Sequence, residues 1–237
     1  MNKRILIFTA CYNEKKNIII LIKKIFKNFP KSDILIIDDN SPDQTSLAIK
    51  KIMKQFKKIN LIIREKKLGL DTAHKFAFNY AKKNKYNYLI TMDADLSHDP
   101  NELKNFIEQL DTYPFVIGSR YIKGGKCLMS GSRLFLSRIG NSFIRFISGI
   151  NSHEFTTSYR GFNLNKLDNF TLSGVNSKGY SFFMGTIFKL VEDGFAIKEI
   201  PITFNDRKNG VSKIPKFEIF RTLKNLLLLS VRKYFYK

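Results

Sequence analysis

Four short apolar runs, at residues 5–9, 34–37, 61–63 and 88–92, recur through the first hundred residues, and the first three are each followed by a stretch patterned as a helix. Nearly every residue within a run is apolar, so a strand built from it must be buried on both faces. Such strands belong to parallel sheets covered by helices on either side. Asn17 precedes a helical pattern with apolar Ile18, Leu21, Ile22 and Ile25; residues 45–56 form a second; residues 72–81 form a third, with Ala73, Phe76, Ala77 and Tyr80 on one side. The expected fold is α/β, with a mostly parallel central sheet flanked by helices.

In open parallel sheets ligands bind at the carboxyl ends of the strands, and each run here leads into polar residues. Tyr12-Asn13-Glu14 follows the first, Asp38-Asp39 the second, Lys67-Leu68-Gly69 the third, and Asp93 and Asp95 the fourth. The stretch Asp93-Ala94-Asp95-Leu96-Ser97-His98-Asp99-Pro100 admits two readings. Acidic residues at a strand end are turn formers, and two carboxylates one residue apart can hold a hard divalent cation beside a diphosphate. Convergence of four polar strand ends favours the second. Pro100 then opens a helix over 100–110 with Asp99 as its cap, and residues 115–118 read as a further strand.

Several classes lack their signals. The chain has no glycine-rich dinucleotide fingerprint, no phosphate loop ending in Gly-Lys-Ser or Gly-Lys-Thr, and no Gly-x-Ser-x-Gly turn near a histidine. His74 and His153 read as structural, while His98, inside the acidic loop, is open to either role. Cys11 and Cys127 have no paired spacing and are expected to be reduced. The positive start Met1-Asn2-Lys3-Arg4 precedes an apolar run too short for a signal peptide. No stretch approaches the roughly 20 apolar residues of a membrane span. The expected location is therefore cytoplasmic.

Lys and Arg number 41 against 20 Asp and Glu, a formal charge of +21, so an anionic partner is expected: a nucleotide, a nucleic acid or a membrane surface. Between residues 112 and 153 no acidic residue occurs, while Arg120, Lys123, Lys126, Arg133, Arg138 and Arg145 do. The arginines from 133 onward alternate with Leu134, Phe135, Leu136, Ile139, Phe143, Ile144, Phe146 and Ile147. This is the composition of a helix lying in a membrane interface, or of a core helix with solvated arginines. A late polar loop, residues 205–213, carries Arg207, Gly210 and Lys213 and reads either as a lid over phosphates or as an exposed turn. The basic, aromatic tail over 217–236 could lie on lipid or pack against the sheet.

Taken together, Tyr12-Asn13-Glu14, Asp38-Asp39-Asn40-Ser41-Pro42-Asp43-Gln44-Thr45, Leu68-Gly69-Leu70, the Asp93 loop, Gly118-Ser119-Arg120-Tyr121, and Asp206-Arg207 with Gly210 and Ser212-Lys213 occur in a familiar order. The chain resembles the polyprenyl-phosphate (dolichyl-phosphate) mannosyltransferases of the inverting GT-A glycosyltransferases. The resemblance implies a GT-A catalytic domain over 1–215 and a basic amphipathic C-terminal helix over 216–237 at the inner face of the membrane. It implies that Tyr12, Glu14, Asp39, Asp93 and Ala94 bind the nucleotide sugar and that Asp93 and Asp95 hold Mg²⁺ or Mn²⁺. Asp95, Arg120, Arg133, Arg207 and Lys213 would act on the phosphates of donor and acceptor. Departures are Ala10-Cys11 in place of Pro and a small residue, Gln44 for a turn glycine, Gly185 for a frequent Glu, and Ser97 where some relatives offer Gln to the metal.

The implied partners are a nucleotide-sugar donor, a polyprenyl-phosphate acceptor and an anionic membrane surface. A lipid phosphate is already an anion, so it needs cations to approach the donor rather than a strong base, which suits a site rich in arginine and poor in histidine. The alternative within this scaffold is another donor, such as UDP-glucose, or a saccharide acceptor. A nucleic-acid-binding module would also account for +21, but no such motif is present and acidic clusters would repel phosphates, so no nucleic acid is expected.

Overall fold

The structure, a computed structural model, describes residues 3–206 and 218–235. The expected alternation opens the chain: β1 (Ile5–Cys11), α1 (Lys15–Asn28), β2 (Asp33–Asp38), α2 (Thr45–Ile52), β3 (Ile59–Ile63), α3 (Leu70–Lys83) and β4 (Tyr88–Thr91). A 3₁₀ turn, Pro100–Glu102, leads into α4 (Leu103–Leu110), and the Asp99 carboxylate caps it by accepting the Asn101 amide at 3.0 Å. Then follow β5 (Phe115–Ser119), β6 (Lys126–Cys127), α5 (Gly131–Ser148), β7 (Arg160–Asn163), α6 (Ser181–Glu192), β8 (Ile197–Pro201), β9 (Thr203–Phe204) and α7 (Glu218–Phe235).

Among the described residues seven strands form one sheet in the order β3-β2-β1-β4-β7-β5-β8, and β6 pairs with β9. All pairings are parallel except those of β7, which runs antiparallel to both β4 and β5. The period of two along each strand divides the core. Leu6, Phe8, Leu35 and Ile37 face α3 and α6, whereas Ile7, Ile34 and Ile36 face α1, α2 and α4.

Three elements differ from the pattern read in the sequence. α2 stops at Ile52, and the chain turns so that Phe56 stacks on Phe26 with centroids 4.6 Å apart. α3 buries Ala73, His74, Ala77, Phe78 and Ala81, leaving Phe76 45% exposed; the alanines let the helix approach the sheet and Phe78 fills the gap against Phe162 and Phe170. β7 has no strand pattern in the sequence, because Gly161 weakens it. A Cβ at Gly161 would meet Leu110 at 2.9 Å, so the missing side chain is what lets α4 lie against this strand.

Candidate active site

β1 lies between β2 and β4, which brings three of the polar strand ends together. The Asp39 amide donates to Cys11 O at 3.1 Å and the Met92 amide to Phe8 O at 3.0 Å, continuing the ladder to the edge of the site. The segment after β2 is built to hold the start of α1. Ser41 Oγ accepts from the Asn13 amide, Thr45 Oγ1 from the Glu14 amide and Asp43 from the Lys15 amide, all at 2.9–3.0 Å. Burial alone would raise the Asp43 carboxyl, but hydrogen bonds from Thr45 and the Lys15 amide hold it below the usual range. Gln44, standing for a turn glycine, adopts the left-handed conformation that position requires (φ 66°).

The expected nucleotide residues line this edge. The Lys67 ammonium lies 4.6 Å from the centroid of the half-buried Tyr12 ring. Asp39 is ion-paired with Arg64, whose guanidinium also donates to Thr72 Oγ1 and Gly69 O. Glu14 Oε2 accepts from Asn17 Nδ2 at 2.8 Å. Asp38 is fully buried; burial pushes its carboxyl up despite hydrogen bonds from Ser41.

The Asp93 loop is held from both sides. Ser97 donates its amide (3.0 Å) and hydroxyl (2.6 Å) to Asp95 Oδ1, and Leu96 between them takes a left-handed conformation with φ 67°. Asp93 accepts a hydrogen bond from Ser158 Oγ. Ala94, between Asp93 and Asp95 in the sequence, is buried. His98 proves structural: its Nδ1 accepts the Asp93 amide at 3.0 Å, which leaves the proton on Nε2, 3.2 Å from Thr157 Oγ1. Burial depresses its pKa against the opposing pull of Asp93 and Asp95, and its ring stacks on Tyr159. His74 is likewise a core residue, held neutral by burial at a pKa of about 3. His153 pairs through Nδ1 with Glu199 at 3.0 Å.

Of the expected phosphate-binding cations, Arg120 and Arg133 are described and differ sharply. Arg120 is buried, with Nε and one Nη each 2.7 Å from a Glu154 oxygen and a further bond to Thr156 Oγ1 at 2.8 Å. Burial opposes both charges, but each partner more than offsets it, so the guanidinium is raised and the carboxyl lowered. Arg133, at the start of α5, is half exposed and 3.6 Å from Asp206. Arg207 and Lys213 lie outside the described residues.

Two paths tie α5 to the Asp93 loop. Asn141 on α5 accepts the Phe155 amide at 2.8 Å, and the segment that follows delivers Thr157 to His98 and Ser158 to Asp93. On the other side, the Asn205 amide donates to Ser97 O at 2.9 Å one residue before Asp206 meets Arg133. Glu154, Thr157 and Ser158 carry no signal in the sequence. The one hint is that Glu154 ends the acid-free stretch.

The donor set fits a hard divalent cation. Asp93 and Asp95 supply carboxylate oxygens oriented by hydroxyls, and the only nearby imidazole is turned to a backbone amide. Among the described residues no group of three His, Cys, Asp or Glu could hold a metal, so phosphate oxygens and water would complete the shell of a bound ion. Ser97 is committed to orienting Asp95. Gly185 on α6 is closely packed, since a Cβ there would stand 2.7 Å from Ser177 Oγ and 3.0 Å from Val175 Cγ1, so a larger side chain would require Ser177 to shift.

Comparison with known proteins places the chain among glycosyltransferases. The chain is 35% identical over 215 residues to the polyprenol monophosphomannose synthase of Mycolicibacterium smegmatis, covering 90% of this chain and 81% of that protein. It is 33% identical to the undecaprenyl-phosphate mannosyltransferase of Micrococcus luteus, covering 89% and 87%. A mannosyltransferase from Pyrobaculum calidifontis solved with GDP-Man and Mn²⁺ shares the fold, with a TM-score of 0.63 at 16% identity over 100% of this chain and 65% of that one. Residues 6–170 match the model of glycosyl transferase family 2, and with the carboxylate loop at the end of β4 they establish that the chain belongs to that family.

Proposed function

We propose that the protein transfers mannose from a nucleotide sugar, GDP-mannose, to a polyprenyl phosphate at the cytoplasmic membrane face, with inversion and with Mg²⁺ or Mn²⁺. The observation that carries this reading is the linkage of α5 to the Asp93 loop. A carboxylate pair suited to a cation-bound diphosphate is joined, through Asn141 and through Asp206, to a helix whose outer surface is apolar and rimmed by arginine. A site built this way serves two anions, one of them carried by a lipid.

Asp93 and Asp95 would hold the cation, oriented by Ser158 and Ser97. Bound there, it would neutralise the charge that develops on the departing diphosphate. Tyr12, Glu14 and Asp39 border the nucleotide. Arg133, with Arg207 and Lys213, screens the acceptor phosphate from the donor and brings it to the anomeric carbon. The acceptor oxygen is already anionic, so the chain supplies no strong base. Arg120 acts through the segment it holds, because its charge is committed to Glu154.

The test is a donor screen with a short-chain polyprenyl phosphate and either cation, read as lipid-linked sugar. GDP-mannose should give product and UDP-glucose little. Success only with a saccharide acceptor overturns the lipid assignment, and preference for UDP-glucose overturns the sugar. Chelation should abolish transfer, and Asp95→Ala should lower it roughly a hundredfold or more. Near-normal turnover in that variant would sink the metal assignment.

A further inference from the structure

A second feature of α5 lies away from the carboxylates. The helix buries Asn141, Ile144 and Ser148, while Phe135, Ile139, Phe143 and Phe146 on the opposite side are 43–82% exposed. Arginines occupy the two flanks between these faces. Arg133 lies on the flank that meets Asp206. Arg138 and Arg145 share the other flank: seven residues apart, they are about 20° from alignment and roughly 10 Å apart along the axis.

A cavity of about 740 Å³ opens on that second flank; Arg138, Asn141, Ser142, Arg145, Phe146 and Asn151 are among its lining residues, and so are His153 and Arg120, the latter with its charge already taken up by Glu154. The volume is that of a small-molecule site. Its positive charge is not balanced locally. Among the described residues no carboxylate lines the cavity, and Glu154 and Glu199, which bond to lining residues, are committed to Arg120 and to the amide and ring of His153. Arg145 is steadied across the end of the helix by Asn151 Oδ1 at 3.0 Å, and Arg138 has no acidic partner among the described residues. Asn141 and Ser142 add neutral polar groups.

We propose that this cavity binds the phosphate headgroup of an anionic glycerophospholipid, a lipid site separate from the one that takes the acceptor. Phe146 is the reason to choose a lipid over a free anion. It lines the cavity and also belongs to the outward apolar row, 82% exposed, so a headgroup seated between the arginines would send its acyl chains along a surface left open among the described residues. Guanidinium groups flanking an apolar helix face lie at headgroup depth. Occupancy would orient α5 in the membrane plane with the Arg133 flank, and hence the carboxylate loop, toward an arriving lipid phosphate.

Calorimetric titration of the full chain with soluble dihexanoyl phosphatidylglycerol tests this without any nucleotide sugar, so it stands apart from the mannosyl reading. Saturable binding is expected, weakened roughly tenfold or more in Arg138→Gln/Arg145→Gln. Lys50→Gln/Lys51→Gln on α2, with the same charge loss, should leave it unchanged. Dihexanoyl phosphatidylcholine and inorganic phosphate should bind far more weakly. The single Arg138→Gln variant, changed at an exposed position, should show the same direction if the double variant misfolds. Equal weakening by the α2 variant, or equal affinity for phosphatidylcholine or inorganic phosphate, overturns the proposal. So does loss of transfer to a short-chain acceptor in phospholipid-free detergent by Arg138→Gln/Arg145→Gln, which would place these arginines in the acceptor site.

Discussion

Arg120 and Glu154 form the most deeply buried ion pair described, with side chains 6% and 0% exposed. Arg120→Ala would leave a buried carboxylate without its counter-charge, a loss of about 3–5 kcal/mol, visible as a fall in Tm. Arg120→Met with Glu154→Gln should recover most of that stability, because Gln keeps the oxygen that accepts from the Thr156 and Thr157 amides. Transfer should recover with it; a folded but inactive double variant would mean that Arg120 touches phosphate itself. Glu102 offers a pH signature. One oxygen accepts the Thr203 amide at 2.7 Å, the other is buried without a partner, and burial pushes the carboxyl up to about 7. The folded chain then holds a proton that the unfolded chain releases near 4.5. Glu102 therefore lowers stability as pH rises from about 4.5 to about 7, and Glu102→Gln should flatten that decline in a series of melting curves. At this scale Asp93 and Asp95 stood out because their two carboxylates follow an apolar run where other polar strand ends converge, although the motif alone also reads as a turn. Ser158 was not, since a serine 65 positions away becomes a partner of Asp93 only through the pairing of β7 with β4.

At the scale of elements, α5 carried two readings in the sequence, and the structure leaves its apolar side open. A core helix would bury its phenylalanines, yet Phe135, Leu136 and Ile139 are 64%, 55% and 49% exposed. α7 packs against α5 and α6 through Leu226 and an Asn225–Ser181 hydrogen bond, while Leu227, Leu228 and Val231 stay open. The tail thus both packs on the body and presents an apolar side. No described helix is long and apolar enough to cross a membrane. Replacing Phe135, Leu136 and Ile139 by Ser should leave Tm within a few degrees, since exposed positions carry little stability. Association with lipid vesicles, measured by flotation, should fall at least tenfold, because each such side chain contributes about 1.5–3 kcal/mol when fully buried in lipid. Unchanged flotation would remove α5 as the docking element. Amphipathicity was readable here; which side faces the protein was not, because polar Asn141 and Ser148 lie on the buried side, where they accept the Phe155 and Ile150 amides from beyond the helix.

For the whole molecule, a charge of +21 sets a long-range attraction to anionic surfaces. It should be visible as salt sensitivity: transfer to acceptor in anionic vesicles should fall several-fold between 0.1 and 1 M salt, as the screening length shrinks from about 10 to about 3 Å. Transfer to a short acceptor in neutral detergent should change less, and equal loss in both would place the salt effect in the active site. The sequence by itself determined the βα alternation, the division of strand residues between two cores and the polar strand ends, because burial on a strand repeats every two residues and on a helix every three to four. It also determined the acidic loop and the capping residues, whose chemistry is local. Only the tertiary structure decided that β7 enters antiparallel between β4 and β5, that Glu154 takes up the charge of Arg120, and that Ser158 and Thr157 brace the acidic loop. Those contacts join residues 34 to 65 positions apart, and no local periodicity encodes which distant segment a sheet will place beside its central strands.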